Sequence, residues 1–232
     1  MELRTPVFAI SIALMIAGCS RQAAPPPASV DVSSPGIGGP TGRFVGSEAC
    51  RECHATEYES WAGSRHRATL RPWKEGQPLR LASTTNLAPY RVSADGEVIG
   101  PNVDGTEVRG KVAYLLGGRH HEDLLVRLPD GRLQVFPIAF DIDRGQPFEP
   151  LKELAGGTPP PPDVVDFWTR VGRNADLACY GCHATGHLVE VAGKSPSGQT
   201  LPGSKWVEPG VGCEACHGAG GPHISAARGG KP

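Results

Sequence analysis

Methionine is nearly absent from the chain. Its 232 residues include two, Met1 and Met15, and both fall within the first seventeen positions. A chain shortened at that end has no methionine thioether to offer as a ligand. Long apolar runs are missing too: beyond the N-terminus no segment approaches the roughly 20 residues that a spanning helix needs. Charge of either sign is not in excess, the formal net charge being −1. There is no basic stripe of the kind that marks a nucleic-acid partner. Aromatic residues make up 6%, while 31 glycines and 23 prolines account for about 23% of the chain. That composition stops just short of the level associated with disorder. It describes a loop-rich protein held together by something besides regular secondary structure.

The N-terminus reads as an export signal. Arg4 gives a short basic region, weakened by Glu2, and Pro6 to Ile16 is apolar. Its length suits a secretory signal and is too short for a spanning helix. The run ends Ile16-Ala17-Gly18-Cys19, which resembles a bacterial lipobox; an ordinary signal peptide with an incidental cysteine is the alternative. The expectation is a signal peptide over residues 1–18, lipidation at Cys19, and a Pro/Ala/Gly-rich linker over 19–42 acting as a tether. Acyl chains bind membranes at about 0.8 kcal/mol per buried CH₂. The protein is therefore expected to be exported and lipid-anchored to a bacterial membrane, on the periplasmic side or at the outer membrane. Ser20, where an inner-membrane retention signal has Asp, favours the outer membrane.

Of seven cysteines, Cys19 is assigned to lipid and the other six form three Cys-x-x-Cys-His motifs. They are Cys50-Arg51-Glu52-Cys53-His54, Cys179-Tyr180-Gly181-Cys182-His183 and Cys213-Glu214-Ala215-Cys216-His217. This is the pattern of c-type haem attachment. One helical turn presents both thiols to the two vinyl groups on one edge of the macrocycle, and the next residue ligates the iron. Three covalently attached haems are thus expected, with His54, His183 and His217 as proximal ligands. Zinc could instead take Cys179, Cys182, Cys213 and Cys216, and disulfides are allowed in an exported protein. Both alternatives leave three adjacent histidines unexplained.

Along the chain, residues 43–79 read as largely helical, with Ser47 as N-cap and Glu48 in the first turn. Residues 80–150 change character. Asp95-Gly96 and Pro129-Asp130-Gly131 are turn signals, and Leu124–Leu128 and Leu133–Ile138 read as strands. A small antiparallel β insertion without covalent haem is expected there, within one haem-binding domain over 43–232. Pro159 to Pro162 is a stiff connector, and Asp163 is expected to cap a short helix from Val164 to Val171. The fold class is α+β and loop-rich, with short haem-binding helices.

The far side of each iron decides function. Without methionine, the His/Met ligation that raises haem potential is closed. Five histidines remain: His66, His120, His121, His187 and His223. His66, His120 and His223 are preferred. His120 and His121 follow Gly117-Gly118-Arg119, where glycines let backbone approach a flat ring; either could ligate while the other donates a hydrogen bond. His223 cannot reach the far face of its own haem but can reach a neighbour's. His187, four residues after His183, falls on the proximal side if that stretch is helical.

Phe44-Val45-Gly46-Ser47-Glu48-Ala49-Cys50 through Trp61 and Ser64-Arg65-His66 resembles the opening of the cytochrome c-552/4 type of multihaem cytochrome, similar to the tetrahaem cytochromes of ammonia oxidisers. Gly212 to Gly218, through His223, resembles that group's later haem motif. Gly117-Gly118-Arg119-His120 and Leu128 to Leu133 are similar to its longer members, some of which carry tetratricopeptide helices. The resemblance implies electron transfer through mostly bis-histidine haems, with distal ligands matching His66 and His223. No fourth haem motif is present. Redox partner proteins, quinol-linked or other cytochromes, are expected, and the membrane through the lipid anchor. Two other functions stay open: a reductase of a small nitrogen or sulfur oxyanion with one open haem, and a haem module of a larger assembly.

Overall fold

The computed structural model describes residues 38–39, 42–83, 87–194 and 200–229. The expected signal peptide, Cys19 and nearly all of the linker lie outside the described residues. The elements, in chain order, are β1 (Gly38–Gly39), β2 (Gly42–Arg43), α1 (Ala55–Ala62), β3 (Leu70–Pro72), β4 (Arg91–Val92), β5 (Glu97–Pro101), β6 (Glu107–Gly117), β7 (His121–Arg127), β8 (Leu133–Val135), β9 (Ala139–Asp141) and β10 (Gln146–Phe148). They continue with α2 (Pro150–Leu154), α3 (Ala175–Ala178), α4 (Tyr180–His183), β11 (Ala184–Thr185), β12 (Leu188–Lys194), β13 (Thr200–Lys205), β14 (Glu208–Pro209), α5 (Cys213–His217) and α6 (Gly221–Arg228). The class is α+β with short helices. None of the described helices is long and apolar enough to cross a membrane.

The organising unit is an eight-stranded antiparallel sheet. Six strands run β10-β9-β7-β6-β5-β4, with β3 added to β6 and β8 to β7. Its central strand β7 is buried over five consecutive residues, Glu122 to Val126. Such a run marks a strand covered on both faces. Leu124 and Val126 point into one cluster with Phe136, Trp168, Leu79 and Leu81. Leu125 points into the other, with Leu70, Tyr114, Ala175, Tyr180 and Ala184. On the neighbouring β6 the register shifts between Val112 and Tyr114. That bulge reverses the alternation of faces. Val112 serves the first cluster, and Tyr114, only two residues later, serves the second.

Two expected helices take other forms. Upstream of α1 there is only a single 3₁₀ turn, Ser47–Cys50, and beyond it the chain extends into β3. Ser47 does not cap, because its hydroxyl is committed to Glu208. The expected Val164–Val171 helix is a series of turns followed by a 3₁₀ turn, Val171–Arg173. Phe167, Trp168 and Thr169 are all buried. Three consecutive residues cannot share one helix face. The Trp168 indole instead donates to the Pro101 carbonyl at 2.6 Å, and the Gln134 amide donates to the carbonyls of Trp168 and Arg170.

Candidate haem-binding sites

Each Cys-x-x-Cys-His motif occupies one turn. The first runs from the last residue of the 3₁₀ turn to His54, just before α1; the second runs from Cys179, between α3 and α4, through α4; and the third is α5. In every motif the first cysteine is half-buried and the second exposed. Burial pushes Cys50 and Cys179 up to about 11. The zinc alternative requires the second and third motifs to converge. Among the described residues, no three or more His, Cys, Asp or Glu side chains are grouped so as to hold a metal ion.

The first and third motifs come together. Cys50, His54, Cys213, His217 and His223 line one cavity of about 520 Å³, with Gly218, Ala219 and Gly220 also in its wall. This size falls in the range of roughly 300–1,000 Å³ usual for cofactor sites. The His54 and His223 rings both line it, with centroids 6.2 Å apart and planes 31° from parallel. Two imidazoles bonded to opposite sides of one metal at about 2.0–2.1 Å per bond have ring centroids roughly 6 Å apart. Helix α1 fully buries none of its side chains. Helices draw most of their stability from a packed face, and a macrocycle in this cavity would provide one. The residues therefore fit a covalently bound haem.

What holds the two motifs is a set of charge-assisted hydrogen bonds. Glu214, inside the third motif and buried, accepts backbone N–H groups from Val45 (3.0 Å), Gly46 (2.7 Å) and Gly220 (2.7 Å). Ser47 donates its hydroxyl to Glu208 at 2.6 Å and accepts the Cys213 N–H at 2.9 Å. A Cβ on Gly212 would lie 1.8 Å from the Glu208 carboxylate and 2.7 Å from the Ser47 hydroxyl, so only glycine fits there. Trp61 donates to the Val211 carbonyl at 2.8 Å, and Val211 N–H donates to the His66 carbonyl at 3.0 Å. His66 is thereby held beside the strand entering the third motif, its side chain exposed. Thr185 ties in the second motif by accepting the Gly212 N–H at 2.7 Å.

The second motif packs on the sheet. Tyr180 is fully buried and packs against Trp206 with ring centroids 4.5 Å apart and planes tilted by 50°. Burial lowers the His183 imidazole, opposed by Asp123 and the Thr69 backbone, with His121 adding to the lowering. Its Nδ1 is buried and makes no hydrogen bond of good geometry, although Thr69 is close. Of the two histidines after the glycine pair, His121 is the one near His183; its Nε2 lies 3.4 Å from Asp123. His120 is turned to Asp143, 2.8 Å away and exposed. Gly117 and Gly118 have φ of +82° and +114°, and a Cβ would strike the His121 carbonyl or the Arg71 guanidinium. They serve the tight β6–β7 turn. His187 is not on a helix: it precedes β12, stands edge-on to Tyr180, and its Nε2 lies 2.9 Å from the Ser204 hydroxyl. Sequence reasoning passed over Glu214 and Glu208, whose signal was faint: acids beside glycines next to a motif.

The profile of the family described as cytochrome c554 and c-prime matches residues 49–115 and 167–218, about half of the chain. The chain belongs to this family. Covalently bound c-type haem and haem-based electron transfer follow from membership. The unmatched interval, 116–166, holds most of the sheet beyond β6. Over 87 residues this cytochrome is 31% identical to the dissimilatory sulfite reductase MccA of Wolinella succinogenes, an alignment covering 34% of this chain and 12% of that protein. Among solved structures it is similar to the undecahaem cytochrome from the S-layer of Carboxydothermus ferrireducens, with TM-score 0.46, 19% identity, and coverage of 82% of this chain and 22% of that one. For the outer cell wall cytochrome OcwA the figures are 0.48, 18%, 80% and 34%. The chain thus spans about an eighth of the curated relative and a third or less of either structure.

Proposed function

We propose that this cytochrome is a trihaem electron carrier whose irons are closed by two histidines each, exported and lipid-anchored through Cys19. The observation that carries the reading is the His54–His223 pair, 6.2 Å apart in a cavity lined by two attachment motifs. Cys50 and Cys53, Cys179 and Cys182, and Cys213 and Cys216 would hold the haems. Each haem would supply a one-electron iron couple. His54 and His223 serve the first iron. His183 and His121 serve the second, with Asp123 orienting His121. His217 serves the third, with His66, held beside that motif, as its partner. Imidazole is neutral at pH 7 and binds without the deprotonation that lysine would need. Electrons come from and pass to redox partner proteins at the membrane surface.

The match to a dissimilatory sulfite reductase keeps a second reading: reduction of a small sulfur oxyanion at one open iron. Spectroscopy separates the two. A pyridine haemochrome assay with intact mass should count three haems and the lipid. Closed irons give a low-spin spectrum and no carbon monoxide adduct in the reduced protein. His223→Ala should open one iron and admit carbon monoxide. A wild type that binds carbon monoxide readily establishes the enzyme reading instead.

A further inference from the structure

One carboxylate between the first and third motifs is poorly suited to staying charged. Glu208, on β14, is half-buried, and its Oε1 accepts the Ser47 hydroxyl at 2.6 Å and the Ser47 N–H at 3.1 Å. The titratable and charged groups facing it are Glu214 from α5, Cys50 from the 3₁₀ turn and Arg67 from the segment between α1 and β3. Thioether formation would remove Cys50 from titration. Backbone N–H groups from two segments converge on Glu214. Glu208 therefore shares a partly buried site with a second carboxylate. Burial pushes it above the ordinary carboxylate range, Glu214 adds to this, and Ser47 and Arg67 oppose it. A further negative charge arriving nearby favours its protonated form.

We propose that Glu208 is a proton-binding site coupled to electron uptake at the first and third motifs. It takes one proton from solvent as one electron arrives from the redox partner, and returns the proton to solvent when the electron leaves. The coupling rests on the reading that Cys50/Cys53 and Cys213/Cys216 carry haem. It is reciprocal: whatever reduction does to proton affinity, protonation does to electron affinity. Glu208 touches neither iron ligand and acts as a positioning residue for charge.

The test is a spectroelectrochemical titration of the complete holoprotein from roughly pH 5 to pH 9, with haem count checked first. In the wild type the potentials of the coupled pair should fall as pH rises, because the reduced state binds more protons. Glu208→Gln is neutral at every pH. It should flatten that slope and hold the potential near the wild type's acid limit. Ser47→Ala removes a hydrogen bond to the charged form and should move the sloping window to higher pH. A Glu208→Gln protein with all three haems and an unchanged slope overturns the proposal. If that variant misfolds, an unmoved window in Ser47→Ala overturns it equally. A wild type lacking haem at the first or third motif overturns the underlying reading, and the proposal with it.

Discussion

The sheet and the pair of motifs beside it are held together by different forces. In the sheet, Val98, Leu125, Val126 and Phe136 are completely buried and Trp168 is 1% exposed. Among the described residues, neither apolar cluster includes a residue of the first or third motif. Helices α1 and α6 fully bury no side chain, and the two motifs meet through Glu214, Ser47 and Glu208. Apolar burial is worth roughly 25 cal/mol per Å² and needs no partner of defined geometry. A cofactor shell must leave room for the ring, so its protein–protein contacts are hydrogen bonds at the rim. The second motif joins the two regimes: its cysteines are proposed haem attachment points, while Tyr180 belongs to the sheet's second cluster.

The comparison can be broken most decisively by removing one attachment site. Cys50→Ala with Cys53→Ala should lose one haem and leave α1, α5 and α6 without protection in hydrogen exchange, while β6 and β7 keep theirs. Loss of protection in β6 and β7 as well would show one cooperative unit and dissolve the distinction. The converse substitution is Trp168→Ala. Large-to-small changes of this kind cost about 3–5 kcal/mol. Urea unfolding should show that loss in full, and because the second motif rests on the same sheet, its haem environment should change too.

A smaller effect is expected at the rim. Glu214→Gln keeps the shape but replaces a charged acceptor, and hydrogen bonds to charged groups contribute about 1.5–3 kcal/mol. The haem count should stay the same while exchange quickens in Val45, Gly46 and Gly220. The smallest effect is a pH dependence at His187. Burial holds its imidazole below the ordinary value, against the opposing pull of Asp176. The unfolded chain therefore takes up the proton first as pH falls, and folded stability declines from about pH 6.5 downward. His187→Gln should remove that part of the decline, measured as the difference between the two stability–pH curves.

The three Cys-x-x-Cys-His motifs needed no fold to be read. Their chemistry lies within five consecutive residues, and one turn of helix already fixes the relative placement of two thiols and an imidazole. The strands around Pro129-Asp130-Gly131 were legible for a similar reason, since turn residues and apolar alternation are local. The Val164–Val171 segment misled because its pattern matches a short capped helix, whereas the burial of Phe167 through Thr169 is imposed by Pro101 and Gln134 from elsewhere in the chain.

What the sequence determined by itself is the cofactor chemistry: covalent c-type haem, three Cys-x-x-Cys-His motifs to propose as its attachment sites, and no methionine beyond Met15 to complete a ligand pair. What only the tertiary structure decided is which groups meet. It set His223 near His54. It brought His121 near His183 and turned His120 to Asp143. It also joined the approach to the first motif, Gly46 and Ser47, to Glu214 and Glu208, some 160 residues later in the chain. Contacts at such separations depend on how the sheet, its bulge and its turns steer distant segments together, and no local pattern of residue types encodes that steering.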